Sequence, residues 1–464
     1  MPLLIRDGTI VTADEQYLGD IYIEDQTISK IGKDLDAPPG TEVISAAGKL
    51  VFPGFIDPHV HIYLPFMGTF AKDTYETASV AALVGGTTTT IEMCCPSRND
   101  DPLASYRLWK RQAEGRSACD YAFHMAVSRF DETTETQLRE IVADGTASFK
   151  IFLSYKNFFG IDDGEMYQTL RLARELGVIV TAHCENAELV SRLQQQLLAE
   201  GKTGPEWHEP SRPETVESEG TTRFATFLET TGATGYVVHL SCLPALKAAV
   251  DAKARGVKLS VESVLPHFLL DKTYAEREGL EGMKYIMSPP LRKKSNQAAL
   301  WEALKSGQID TVGTDHCPFD LEQKLMGKDA FTGIPNGMPG VEERVNLMYT
   351  YGVKRGGLDL QRFVDALSTR AAKLFGLYPR KGTIAVGSDA DLVVYDPDYR
   401  GKLSSETHLS NNDYCAFDGF EIEGRPSLVT VRGRVQARDG VFVGERGIGQ
   451  FLRRKPDLGA NHAG

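Results

Sequence analysis

Eight short runs of apolar and β-branched residues, set apart by stretches of helical periodicity, constrain this chain more than any other feature. They are GFIDPHVHI, TTTTIEM, YAFHMAV, SFKIFLSY, VIVTAHCE, GYVVHLS, VKLSVES and IDTVGTD. Each reads as a strand. Most are separated by segments such as DGEMYQTLRLARELG and LPALKAAVDAKARG, where apolar residues recur at the spacing of a helix face. Eight such units are the number needed to close a parallel β/α barrel, so the predicted class is α/β with a TIM-type (β/α)8 barrel.

The two ends read differently. The N-terminal part holds LLIRDGTIV, DIYIED, ISKIG and TEVISAAGKLVFPG, and the C-terminal part holds KGTIAVGSDADLVVYDP and SLVTVRGRVQARDGVFVG. Alternation punctuated by Gly and Asp-Gly argues for short strands and turns at both ends. The expectation is one discontinuous β-domain from residues 1–53 and 376–464, around a catalytic barrel over 54–375.

In a β/α barrel the active site lies at the C-terminal ends of the strands. The residues there are His59 and His61 on the first run, Lys150 on the fourth, His183 on the fifth, His239 on the sixth and Asp315 on the eighth. His59 and His61 are two apart, so on a strand they share a face and Val60 takes the other. One strand-end histidine is more often a hydrogen-bonded core residue than a ligand. Four at strand ends on three different strands, with a carboxylate, point to divalent metal, and His with carboxylate suits zinc and similar ions.

Lys150 is the odd member, because an ammonium has three donors and no acceptor. Two roles stand side by side. The lysine hydrogen-bonds substrate or a carboxylate, or its neutral amine adds carbon dioxide to become a carbamate whose two oxygens bridge two metals.

The net charge of −12 and the lack of any basic run argue against nucleic acid as a partner. MPLLIRDGTIVTADEQ shows no secretory leader, and no apolar stretch approaches membrane-spanning length. The seven cysteines contain no CxxC pair and read as reduced thiols, which predicts a cytoplasmic protein that does not associate with membranes. Cys184 and Cys317 lie beside predicted ligands, and packing thiols is the expectation for both.

PGFIDPHVH, SFKIFLSY, TAHCEN, VVHLSC and GTDHCPF, in this order, resemble the cyclic amidohydrolases, most of all those of the dihydropyrimidinase and bacterial D-hydantoinase type. The resemblance spans essentially the whole chain and includes GSDADLVVYDP. It implies a barrel with a small β-sandwich built from both termini, a homotetramer, and two divalent ions, zinc first, with manganese and cobalt as alternatives. It further implies that His59, His61 and Asp315 bind one ion, that His183 and His239 bind the other, and that Lys150 bridges them as N6-carboxylysine.

The implied reaction opens 5-substituted hydantoins or 5,6-dihydropyrimidines to N-carbamoyl amino acids. A hydroxide held between the metals attacks the ring amide carbonyl, and Asp315 carries its proton to the departing nitrogen. The resemblance gives Tyr155 the oxyanion, and Ser288 and Asn336 the N–C=O edge of the ring. By composition alone the last two read as turn residues. Leu64, Phe66, Phe152, Phe158 and Phe159 read equally as core or as the lining of a substrate gate.

Two kinds of alternative remain. Dihydroorotase and allantoinase carry Arg and Asn respectively where this chain has Tyr63, and the missing cation favours a neutral cyclic ureide. Collapsin-response-mediator-like proteins share the architecture as non-catalytic binding proteins, and the complete ligand set here argues against that role.

Overall fold

The computed structural model describes residues 2–456. Its centre is a parallel eight-stranded sheet in which every strand pairs with its successor: β1 (Phe55–Val60), β2 (Thr87–Cys94), β3 (Asp120–Ala126), β4 (Ser148–Phe152), β5 (Ile179–His183), β6 (Gly235–Val237), β7 (Leu259–Val264) and β8 (Thr311–Gly313). All eight predicted runs are strands of this sheet. It closes just past the strand ends, where His61 N donates to His316 O at 2.7 Å and Asp315 N donates to His59 O at 3.0 Å.

Alternation along the strands separates two cores. Ile91 and Met93 of β2, Ala122 and Ala126 of β3, and Phe152 of β4 fill the barrel interior. Phe123 and Met125 of β3 and Phe149 and Ile151 of β4 face the surrounding helices. This layered filling makes the barrel a solid core rather than a pore. Phe375, Leu377 and Leu452 join the interior cluster.

The helices follow the sequence signals. DGEMYQTLRLARELG forms a helix over Asp163–Leu176 that buries Met166, Leu170 and Ala173. Asp162 and Glu165 form a capping box at its start, and Gly177 ends it at φ 68°, a conformation that costs glycine least. LPALKAAVDAKARG forms Leu243–Ala254, with Ala245, Leu246, Ala249 and Ala252 inward.

A second, nine-stranded mixed sheet draws strands from both ends of the chain. Leu50–Pro53 pairs antiparallel with Leu392–Lys402, in the register Val51 with Val394. Ile5, Ile10, Ile21, Ile23, Val51, Leu392 and Val394 form its own core. No helix among the described residues is long and apolar enough to cross a membrane.

Candidate active site

The six strand-end residues meet at one end of the barrel. His59, His61, Lys150, His183, His239 and Asp315 line a single cavity of about 40 Å³, together with Leu64, Phe66, Phe152, Tyr155, Phe159, Ser288, Cys317 and Asn336. A wider cavity of about 360 Å³ shares Phe66, Tyr155 and Asn336 with it and adds Phe158, His208 and Arg212. The inner space suits ions and a few waters, and the outer one is of small-ligand size.

Placement departs from the simple strand-end picture in one respect. Lys150 and His59 lie within strands, but His61 is one residue past β1, and His239 and Asp315 are each two residues past β6 and β8. His239 (φ 40°), Asp315 (φ 53°) and Tyr155 (φ 54°) occupy the left-handed region that non-glycine residues rarely adopt. Backbone bonds hold two of them there: Asp315 N to His59 O, and His239 N to Glu262 Oε1 at 3.0 Å.

His59 Nε2 and His61 Nε2 each lie 3.1 Å from Asp315 Oδ1. Among the described residues, this trio is the group of three whose ligand atoms fall within 4.8 Å of one another. His239 Nδ1 is buried without a hydrogen-bond partner, and the Nε2 atoms of His59 and His61 converge on one carboxylate oxygen, an arrangement that a bound cation would satisfy. The residues therefore fit a metal. The His183 and His239 rings stand 4.5 Å apart between centroids, a pair of donors that needs further oxygen ligands to complete a site.

Electrostatics follow from burial and carboxylates. Burial pulls the His59 imidazole down, but Glu262 and Asp315 outweigh it and carry it to about 9. His61 is pushed down to about 4 by burial, against Asp315. Burial opposes ionisation of Asp315, yet His59 and His61 hold it well below the usual carboxylate range. Lys150 is pushed down to about 8 by burial, with Asp315 opposing.

Sequence reasoning missed the residues that orient these ligands. Glu262, fully buried on β7, accepts His59 Nδ1 at 2.7 Å and Tyr236 OH at 2.8 Å as well as His239 N. Glu185 Oε2 takes His183 Nε2 at 2.6 Å and Arg212 Nη1 at 2.5 Å. Carboxylates that hold the second nitrogen of a histidine fix its tautomer and aim the first. The readable signal was a glutamate inside an apolar strand, a costly placement without a partner.

The remaining residues sort themselves by position. Asn336 Nδ2 lies 3.5 Å from Tyr155 OH, and burial raises the Tyr155 phenol above its ordinary value. Phe66, Phe152 and Phe159 stack at 5.0–5.8 Å around the inner cavity, whereas Phe158 is 39% exposed and borders only the outer one. Cys184 faces the helices and Cys317 the cavity, and burial raises both thiols. All seven cysteines are buried and free. The Tyr63 ring meets Trp109 edge-on at 5.0 Å between centroids and borders neither cavity, lying three residues beyond the end of β1. It brings no cation to either cavity, in keeping with the expectation of a neutral ring.

Comparison with known proteins fits this geometry. The amidohydrolase family profile matches residues 50–435. A solved D-hydantoinase (dihydropyrimidinase) from Thermus sp. superposes with a TM-score of 0.97 at 77% identity, covering 98% of this chain and 99% of that one. The D-hydantoinase of Geobacillus stearothermophilus is 44% identical over 98% of this chain and 97% of its own length. The dihydropyrimidinase of Rattus norvegicus is 38% identical over 98% and 89% respectively. With a metal-ready His-His-Asp cluster at the mouth of its barrel, this chain belongs to the amidohydrolase family.

Proposed function

We propose that this protein hydrolyses the ring amide of 5-substituted hydantoins, 5,6-dihydropyrimidines or both, releasing N-carbamoyl amino acids. The observation that carries the reading is the single cavity that gathers six candidate ligands with Tyr155, Ser288 and Asn336. The names of its relatives point to the same chemistry.

His59, His61 and Asp315 would hold one divalent ion, and His183 and His239 a second, with zinc the first candidate and manganese or cobalt able to replace it. Such ions, when bound, supply activated water at neutral pH and polarise a carbonyl. Lys150 fits the bridging role. It is 1% exposed and its charge faces the Phe152 ring at 4.9 Å, with no ion-pair partner among the described residues. A buried cation so placed is unfavourable, and an amine pushed down to about 8 is partly neutral at pH 7, as carbamate formation requires.

The chain's own groups then divide the work. Asp315, ionised at neutral pH, accepts the proton of the attacking water and passes it to the departing ring nitrogen. Tyr155, kept protonated by burial, donates to the developing oxyanion. Ser288 and Asn336 hold the N–C=O edge of the ring. Leu64, Phe66, Phe152 and Phe159 surround the inner cavity and exclude water, and Phe158 meets the 5-substituent in the outer one.

The same reading keeps the division into a catalytic barrel over 54–375 and a β-domain over 1–53 and 376–464, a homotetramer, and a cytoplasmic location suited to free thiols. The test compares hydrolysis of dihydrouracil, hydantoin and the two enantiomers of phenylhydantoin by metal-replete protein. Ring opening of at least one is expected, and inertness toward all four with stoichiometric metal bound overturns the reading.

A further inference from the structure

Lys324 closes the short helix Leu321–Lys324 and is fully buried. Its Nζ donates to three main-chain carbonyls: Ile286 O at 3.0 Å, Pro335 O at 2.7 Å and Gly337 O at 2.8 Å. No carboxylate pairs with it among the described residues, and the ring of Phe319 lies 5.7 Å from the ammonium. Burial pushes Lys324 down to about 7, but three carbonyls use all three N–H groups of an ammonium, whereas a neutral amine would turn its lone pair on one of them, so the geometry favours the charged form.

The three acceptors belong to two loops. Ile286 precedes Ser288, and Pro335 and Gly337 flank Asn336. Ile286 O also accepts Gly337 N at 2.9 Å, so one carbonyl ties both loops to each other and to Lys324. In a planar trans peptide the C=O and N–H point in opposite directions. Seating Pro335 O on Lys324 therefore aims the Asn336 N–H away from it, and that N–H has no protein partner among the described residues. Gly337 sits at φ 154°, where an added Cβ would fall 2.3 Å from Cys317 O, so this loop has little room to shift.

We propose that Lys324 is a positioning residue for substrate binding, its ammonium fastening the Ser288 loop to the Asn336 loop so that both present the ring-holding groups in one fixed arrangement. This rests on the assignment of Ser288 and Asn336 to the ring edge. Lys324 borders neither cavity, so it acts through the loops rather than on the substrate.

The test uses the metal-replete full-length enzyme with 5,6-dihydrouracil, comparing wild type with Lys324→Met and with Lys324→Gln, which keeps two donors. Loops that hold the ring alike in ground and transition state affect KM more than kcat, so KM should rise about 10–100-fold in Lys324→Met with kcat within about threefold. Lys324→Gln should fall between, and metal content should stay at the wild-type value in both. A folded, fully metallated Lys324→Met with wild-type KM overturns the proposal. Loss of fold in both variants overturns it as well, since Lys324 would then be a general staple of the core. Failure of the functional reading looks different, because wild type itself would then leave the ring closed.

Discussion

Replacing Glu262 with Gln isolates the charge that the barrel places behind His59. The amide keeps the shape: its oxygen can still accept His59 Nδ1 and His239 N, and its nitrogen can donate to Tyr236 OH, which in turn can bond Thr311 Oγ1 at 2.6 Å. What disappears is the negative charge 2.7 Å from the imidazole. That charge is the largest influence raising His59 against burial, and with Asp315 it lifts the ring from 6.5 to about 9. A metal at Nε2 is a cation on the same ring, so it is favoured by the same field. Loss of a carboxylate that holds the second nitrogen of a ligating histidine weakens metal binding about 10–100-fold, or about 1.4–2.7 kcal/mol.

The assay is competition between metal-loaded protein and a graded series of chelators, read as ions retained per chain, with thermal unfolding of both proteins as a control for folding. Glu262→Gln should lose metal at a chelator concentration about one to two decades below wild type. A folded Glu262→Gln protein that retains metal within twofold of wild type would refute the reasoning, because Glu262 would then be a structural hydrogen-bond acceptor with no electrostatic role.

Lys150→Ala should lose at least one of the two ions by elemental analysis, with partial recovery of activity on adding short carboxylic acids; unchanged metal content and rate rule out bridging. Asp315→Asn should lower kcat about 10²–10⁴-fold with a smaller change in KM, as loss of a general base does, and near-wild-type turnover removes it from that role. Phe158→Ala should alter the relative rates of bulky 5-substituted hydantoins while leaving dihydrouracil unchanged, since Phe158 borders only the outer cavity; equal effects on both substrates refute the placement. Glu92 is raised from 4.5 to about 7 by burial, against Tyr75 OH and the N–H groups of Tyr63 and Ile62. A carboxyl raised on folding binds protons more tightly in the native state, so its contribution falls as pH rises from about 4.5 to 7, by an amount on the order of 3 kcal/mol. Glu92→Gln should therefore match wild type in denaturant midpoint at pH 4 and exceed it at pH 8, and equal midpoints at both pH values would refute this.

How far each residue was legible in the sequence depended on whether its chemistry resides in its own side chain or in what it faces. Histidines recurring at the ends of β-branched runs announce a metal because imidazole is itself the ligand, and His59, His61, His183 and His239 do line one cavity. Glu262 in VKLSVES and Glu92 in TTTTIEM were half legible: a carboxylate inside an apolar strand demands a partner, but the partner lies on another strand or loop. Lys324, in DLEQKLMGK, was not legible at all. Beside Glu322, Gln323 and Lys328 it resembles a solvent-facing helix residue, and only the folded chain brings Ile286, Pro335 and Gly337 around it. Tyr63 shows where the strand rule stops applying. Alternation is a property of extended backbone, β1 stops at Val60, and past that point a residue's face is set by the turn and by Glu92, which accepts the N–H of both Ile62 and Tyr63. The same limit explains His239 and Asp315, whose left-handed backbone beyond the strand ends turns them into the cavity. Their identity was readable because a ligand is recognised by its chemistry, while their aim depends on bonds that their N–H groups donate to Glu262 Oε1 and His59 O, residues far off in the chain.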